Sequence, residues 1–258
     1  MPAPVTQIVD VLGQRLECVR IGAELPGPTL VFLHEGLGSV ALWRDFPRRV
    51  AEATSRPTLI YSRAGYGRST ALARARTPRY MHDEGLTTLP GLLDALDLVE
   101  PILIGHSDGA SIALIHAGAN VRPVRALVAM APHVFVEALS VTGIEQARLA
   151  YEGNALRAKL ARYHADVDSA FRGWNDIWLS PAFRDWNIEA LLPGISCPLL
   201  LIQGRDDEYG TLAQLNAIER QVSGPVERVE LDDCRHSPHR DQPEATLAAI
   251  ADFVSRLA

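Results

Sequence analysis

Residues 101–110 read Pro101-Ile102-Leu103-Ile104-Gly105-His106-Ser107-Asp108-Gly109-Ala110, and the change of pattern inside this stretch decides the fold. Pro101 to Ile104 is a compact apolar run of the kind that fills a strand buried on both faces of a parallel sheet. Beyond it, Ala110, Ile112, Ala113 and Ile115 recur at helical spacing, so a helix is predicted over 107–119. Between strand and helix lies Gly-x-Ser-x-Gly, a turn sharp enough to bring its flanking backbones close together, so that small residues are needed at Gly105 and Gly109. Such a turn lifts a serine hydroxyl above the sheet, at a helix amino terminus whose partial positive charge favours a developing anion. Ser107 is the candidate nucleophile; the plainer alternative is a serine that only caps a helix.

Working outward, residues 29–34, 58–61, 126–130 and 198–203 are further short apolar runs, each predicted as a buried strand. Helix-like segments separate them at 80–98, 211–222 and 243–257, the last opening on Pro243, a residue that suits a first helical turn. Residues 7–21 hold two β-rich runs split by Gly13-Gln14, as in an antiparallel hairpin at a sheet edge. Alternating strands and helices predict an α/β fold with a mostly parallel sheet flanked by helices. The alternation stops over 131–195, a stretch of helical pattern rich in Trp and Tyr. It is read as an inserted helical cap, 133–195, between core segments 1–132 and 196–258. A cap there would lie over the carboxyl ends of the strands, where open α/β sheets bind ligands.

Composition narrows the classes. At 258 residues and 47% hydrophobic, the chain can bury one large core. The balance of 31 acidic against 25 basic residues, without a basic block, argues against a nucleic-acid partner. Arginines do cluster from Arg63 to Arg79, but Tyr, Gly and Ser interrupt them as in a solvated loop. Three widely spaced cysteines, Cys18, Cys197 and Cys234, give neither a disulfide framework nor a CxxC metal pattern, and fit a reducing cytoplasm. Residues 1–10 lack a basic segment followed by an apolar run, and no stretch reaches the roughly 18 apolar residues of a membrane span. The expectation is a cytoplasmic protein with neither export signal nor membrane anchor.

A serine hydroxyl is a poor nucleophile until a base takes its proton and a carboxylate orients that base. Both residue types follow Ser107 in the chain. Gly204-Arg205-Asp206-Asp207-Glu208 comes after the strand at 198–203, and Cys234-Arg235-His236-Ser237-Pro238-His239 comes after the run at 226–231. The order is Ser, Asp, His.

On these motifs the chain resembles the α/β-hydrolase fold superfamily over nearly its whole length. The resemblance implies that the acid is Asp207, three residues past the glycine ending the seventh strand, with Asp206 the alternative. It implies that the base is His236, with Arg235 in place of the common glycine and His239 the alternative. The remaining histidines, among them His82, His116, His133 and His164, are read as surface or packing residues. Two backbone amides are implied as an oxyanion hole: that of Asp108, and that of Gly36 in His34-Glu35-Gly36-Leu37-Gly38-Ser39. Similar enzymes begin this loop His-Gly. Glu35 departs from that pattern, either as an outward-facing carboxylate, solvated or paired with an arginine such as Arg63, or as a carboxylate aimed near the site. Tyr61-Ser62-Arg63-Ala64-Gly65-Tyr66-Gly67-Arg68-Ser69 resembles the D-x-x-G-x-G-x-S loop after the fourth strand, with Arg63 expected to brace neighbouring loops or to meet a substrate carboxylate.

A serine at the elbow also separates the chain from dehalogenases and epoxide hydrolases of this superfamily, which attack with an aspartate. The function implied is hydrolysis of a small-molecule carboxylic ester or lactone through an acyl-enzyme. The alternatives on the same fold are carbon–carbon hydrolysis of a diketone-like compound, thioester cleavage, cofactor-free perhydrolase chemistry, and a slow-turnover ligand receptor. Tyr151, Tyr163, Phe171, Trp174, Trp178 and Trp186 of the cap would either line an apolar pocket or pack the cap on the body. Trp174 and Trp178 would share one helix face. No cofactor and no metal are predicted: Cys234, His236 and His239 lie close in sequence, but His236 is already assigned to the triad.

Overall fold

The computed structural model describes residues 3–257; Met1, Pro2 and Ala258, the outermost positions of the two core segments, lie outside the described residues. The chain opens with a hairpin, β1 (Val5–Val11) and β2 (Gln14–Ile21), paired antiparallel around Leu12-Gly13. Then follow β3 (Leu30–Leu33), helix α1 (Phe46–Thr54) and β4 (Thr58–Tyr61). Helices α2 (Tyr80–Asp83) and α3 (Leu89–Ala95) precede β5 (Ile102–His106), α4 (Asp108–Gly118) and β6 (Ala126–Met130). Between β6 and β7 (Leu199–Gly204) the chain forms α5 (Ala138–Glu152), α6 (Ala155–Leu160), α7 (Val167–Trp178) and two 3-10 turns. The carboxyl-terminal part is α8 (Ala213–Gln221), β8 (Val226–Leu231), α9 (Pro238–Asp241) and α10 (Pro243–Ser255).

The eight strands form one sheet in the order β1-β2-β4-β3-β5-β6-β7-β8, parallel from β4 to β8. Strands begin after Pro101 and Pro198 rather than on them, because proline has no N–H to give the ladder. Alternation within the strands builds two cores. Phe32, Ile102, Ile104, Val128 and Ile202 face Phe46, Val50, Ile250 and Phe253 of α1 and α10, while Val31, Leu33, Leu103, Leu127 and Leu201 face the side of α3, α4 and α8. Burying a side chain of this size contributes about 1.5–3 kcal/mol, so the paired cores fix strand register firmly.

The predicted helix over 80–98 is broken. Glu84–Thr88 forms a π-helical turn between α2 and α3. Pro90 cannot donate into the helix ladder. The carbonyl of Gly85 is met instead by His116 Nδ1 at 2.8 Å, and a β-carbon on Gly85 would sit 2.9 Å from Ile112 O. The turn therefore lets this segment lie close against α4.

Register places the functional loops. Leu33 pairs with Gly105, so β3 and β5 end level and the His34 loop emerges beside the Ser107 turn. β4 lies on one side of β3 and β5 on the other, the strand-order reversal at which open sheets offer a ligand crevice. Gly204 of β7 pairs with Leu231 of β8, and a β-carbon on Gly204 would fall 2.5 Å from Cys234 C. That close approach holds the loop carrying Asp207 against the loop carrying His236. Among the described residues, no helix is long and apolar enough to cross a membrane.

Candidate active site

Ser107 occupies the turn between β5 and α4 with φ 53° and ψ −121°, a backbone conformation that costs an L-residue about 1–3 kcal/mol. Hydrogen bonds hold it there. Ser107 N donates to Met130 O on β6 at 2.9 Å, and Ala110 N and Ser111 N donate to Ser107 O at 2.9 and 3.0 Å. The glycine requirement read from sequence has a direct cause. A β-carbon on Gly105 would lie 2.5 Å from Ala110 N, and one on Gly109 would lie 2.5 Å from the carbonyl carbon of Leu33.

The structure brings together the three side chains singled out in the sequence. His236 Nε2 is 2.9 Å from Ser107 Oγ, and His236 Nδ1 is 2.8 and 3.0 Å from the two carboxylate oxygens of Asp207. A carboxylate only accepts, so Nδ1 carries the proton and Nε2 presents its lone pair to the serine hydroxyl. Asp207 is fixed in turn by Tyr209 N at 2.8 Å, Gly210 N at 3.2 Å and Gln203 Nε2 at 3.3 Å. Asp206 is exposed to solvent, and its amide donates to Cys234 O. His239 is buried among Trp43, Phe46 and His106, away from the Ser107 hydroxyl.

The electrostatics suit a base. Burial alone would raise the pKa of Asp207, but His236 and the Tyr209 amide hold it below 3.8, so it stays ionised. Burial alone would lower His236; Asp207 first, then Glu208 and Glu35, carry it above 6.5. His133, whose ring centroid lies 5.7 Å from that of His236, is pushed by burial and by His236 to about 3, and is neutral. It is buried and packs against Trp178, as a packing residue does, and it also lines the pocket, which the sequence reading did not foresee.

Ser107 opens into a cavity of about 210 Å³. Gly36, Asp108, His133 and His236 line it beside the serine, and Leu37, Leu42, Ile144, Leu156, Leu160 and Trp174 make most of the remaining wall apolar. The residues of the expected oxyanion hole thus face the same space as Ser107. Asp108 N lies at the first turn of α4, and no internal acceptor takes the N–H of Gly36 among the described residues. A β-carbon on Gly36 would overlap the Trp174 indole, so this position must stay a glycine while α7 lies over it.

Trp174 and Trp178 share one face of α7, as their spacing implies, and both line the pocket while packing the helix down. Trp178 Nε1 donates to Tyr80 OH at 2.9 Å, and Tyr80 OH donates to Asp108 Oδ2 at 2.6 Å. Burial, with Asp108 beside it, holds the Tyr80 pKa well above 10.0, which keeps it a donor. Tyr151 and Phe171 instead stack on each other with centroids 3.7 Å apart, outside the residues lining the cavity. His164 packs: it accepts from Gly67 N at Nδ1 and meets Leu37 O at Nε2, joining two loops.

Arg63 is fully buried and donates to the backbone carbonyls of His34 and Glu35. It braces the loop after β3 and is not available to a substrate carboxylate. Of the two readings of Glu35, the structure supports a carboxylate aimed near the site: it lies within the lining of the cavity, 3.6 Å from Arg240 Nη2 and 3.5 Å from His106 Nδ1, and is not paired with Arg63. Sequence reading missed His106, Arg240 and Tyr209. The first two stand next to Ser107 and four residues past His236, positions whose neighbours were already marked as reactive.

Sequence comparison places this geometry in a family. A model of the Alpha/beta hydrolase family matches residues 30–250. The chain is 22% identical over 288 residues to a proline iminopeptidase of Heyndrickxia coagulans, covering 96% of this chain and 98% of that protein. It is 26% identical over 325 residues to epoxide hydrolase A of Mycobacterium tuberculosis, covering 100% and 99%. Its fold matches that of the enol-lactonase from Burkholderia xenovorans LB400 with a TM-score of 0.74 at 19% identity, covering 97% and 100%. These names denote three different reactions, which leaves the choice of reaction to the site itself. The scaffold is common to all of them, and on the match across residues 30–250 this chain belongs to the alpha/beta hydrolase family.

Proposed function

We propose that the protein is a serine hydrolase that cleaves a carboxylic ester or lactone through an acyl-enzyme on Ser107. The observation that carries this reading is the continuous line from Ser107 Oγ to His236 Nε2 at 2.9 Å and from His236 Nδ1 to Asp207 at 2.8 Å, with Ser107 and His236 in the wall of a mostly apolar cavity. Ser107 Oγ attacks the substrate carbonyl carbon while its proton passes to His236 Nε2, and the imidazolium so formed is stabilised by ionised Asp207. Charge then collects on the carbonyl oxygen, beside the amides of Gly36 and Asp108; one such donor is worth about 2.7–4 kcal/mol. His236 returns the proton to the departing alkoxide, leaving an ester on Ser107. Water attacks that ester with His236 again as base, releasing the acid and restoring the serine.

The cavity wall supports the substrate class. Apolar side chains dominate it, and about 210 Å³ suits a small alkyl or aryl group rather than a long chain. Across nitrophenyl esters of increasing acyl length, kcat/KM is expected to be greatest for short acyl groups and to fall once the chain outgrows the cavity. The same substrates test the base. Because His236 must be neutral to accept a proton and its pKa lies above 6.5, kcat/KM should rise with pH through a limb centred above 6.5. A limb at or below 6.5, or turnover that increases steadily with long acyl chains, would contradict these assignments.

A further inference from the structure

Glu35 stands where enzymes with similar loops carry glycine, and its surroundings give it a task. Its Oε2 lies 3.5 Å from His106 Nδ1 and its Oε1 lies 3.6 Å from Arg240 Nη2. The carboxylate is tucked under its own loop. Gly38 N donates to Glu35 O at 3.0 Å, and a β-carbon on Gly38 would sit 2.8 Å from Glu35 Cδ. His106 continues the connection on its other side, with Nε2 2.7 Å from the backbone oxygen of His236. A carbonyl oxygen only accepts, so Nε2 carries a proton there, and Nδ1, which faces Glu35, can donate to that carboxylate only when it carries a second ring proton. Arg240 also donates to Leu42 O at 3.0 Å.

Three segments meet in this cluster. Glu35 belongs to the oxyanion loop after β3, His106 directly precedes Ser107, and Arg240 lies on α9, four residues past His236. We propose that Glu35 is a positioning residue that, through His106 and with Arg240, ties these segments together and sets the orientation of His236 toward Ser107. The proposal rests on the reading of Ser107 as nucleophile. One carboxylate oxygen faces Arg240 and the other His106, and the side chain is only 19% exposed, which favours this task over direct contact with substrate.

The electrostatics agree. Burial alone would raise the pKa of Glu35, but His106, Arg240 and His239 hold it well below 4.5, so it is a carboxylate at neutral pH. The charged and titratable groups facing His236 are Asp207, Glu208 and Tyr209 after β7, His133 after β6, His106 on β5, and Glu35 itself. Its own loop and α9 add Arg235, paired with Glu208, and His239.

The test compares the wild type with Glu35→Gln and Glu35→Gly, using a short nitrophenyl ester and the rate of fluorophosphonate labelling. A small misplacement of a reacting group can cost about 10²-fold, so kcat should fall between roughly ten- and a hundredfold, with KM little changed and labelling slowed in parallel. The acid limb of kcat/KM should move to lower pH, because one negative charge fewer faces His236. A residue that only supported the fold would not move that limb. Combined with His106→Asn, Glu35→Gln should lose little more than the worse single variant, as expected for residues acting as a unit.

Unchanged kcat with an unmoved acid limb would overturn the proposal, as would a rise in KM alone or fully additive losses with His106→Asn. Glu35→Gln is isosteric and its melting temperature verifies folding, so it is sufficient by itself if Glu35→Gly does not fold. A wild-type protein that fails to label at Ser107 would overturn this inference together with the reading beneath it, whereas a labelled wild type with unaffected Glu35 variants overturns this inference only.

Discussion

Ser107→Ala is expected to lower kcat for a short nitrophenyl ester by about 10⁶-fold, the scale of loss when the nucleophile of a serine triad is removed. The substitution deletes one atom. The backbone bonds that fix the turn, from Ser107 N to Met130 O and from Ala110 N and Ser111 N to Ser107 O, do not involve the hydroxyl. The melting temperature should therefore change little, and alanine meets the same φ of 53° that serine already endures. The residual rate measures what the oxyanion donors and binding accomplish alone, roughly 10³–10⁴ over water in comparable cases. A variant that kept even a hundredth of wild-type turnover would place the reacting hydroxyl elsewhere.

The second large effect is structural. Gly109→Ala should destabilise the protein by about 3 kcal/mol, because the new methyl group would fall 2.5 Å from the carbonyl carbon of Leu33 and the obstacle is backbone, not a side chain that can turn away. For a chain of this size, that is a drop in melting temperature of roughly 10 °C. Relieving the clash means moving β3 away from α4. Since β3 leads directly into His34-Glu35-Gly36, activity should fall further than the loss of folded protein explains. Thermal denaturation followed by kcat measured well below the transition separates the two losses. A melting temperature within a degree or two of wild type would show that β3 and α4 have more room than their geometry indicates.

Much of this was legible in the sequence, and the reason is local. Gly-x-Ser-x-Gly is readable because strand, turn and helix are consecutive, and the two glycines are forced by contacts within or just beside the motif. The parallel strands β3 to β7 were readable because burial on both faces makes each a continuous apolar run. Asp207 was marked only by the resemblance, which implies an acid three residues past Gly204, and the structure adds what sequence could not: Tyr209 N, Gly210 N and Gln203 hold its carboxylate while Asp206 turns to solvent. The π-turn at Glu84–Thr88 escaped, because a helical period continues through it and the group that meets the Gly85 carbonyl in place of a helical N–H, His116, lies more than twenty residues away in the chain.

The partner of Glu35 escaped for the same reason. Arg63 is nearer in sequence to Glu35 than Arg240 is, but β3 and β4 are neighbours whose loops leave Arg63 beneath the backbone, where its guanidinium serves carbonyls. Arg240 reaches Glu35 only because α9 folds back over the carboxyl ends of β3 and β5. The spacing of Trp174 and Trp178 fits either packing or pocket residues. One face of α7 does both, since the pocket is the space left where that helix meets the Ser107 loops.

Every functional step above depends on Ser107 being an activated nucleophile, and fluorophosphonate labelling of the folded protein followed by peptide mapping measures that property itself. One phosphonate per chain is expected, on the peptide carrying Gly105-His106-Ser107-Asp108-Gly109, with no label on Ser107→Ala. Folded wild-type protein that takes up no label, or that is labelled at another residue, would contradict it.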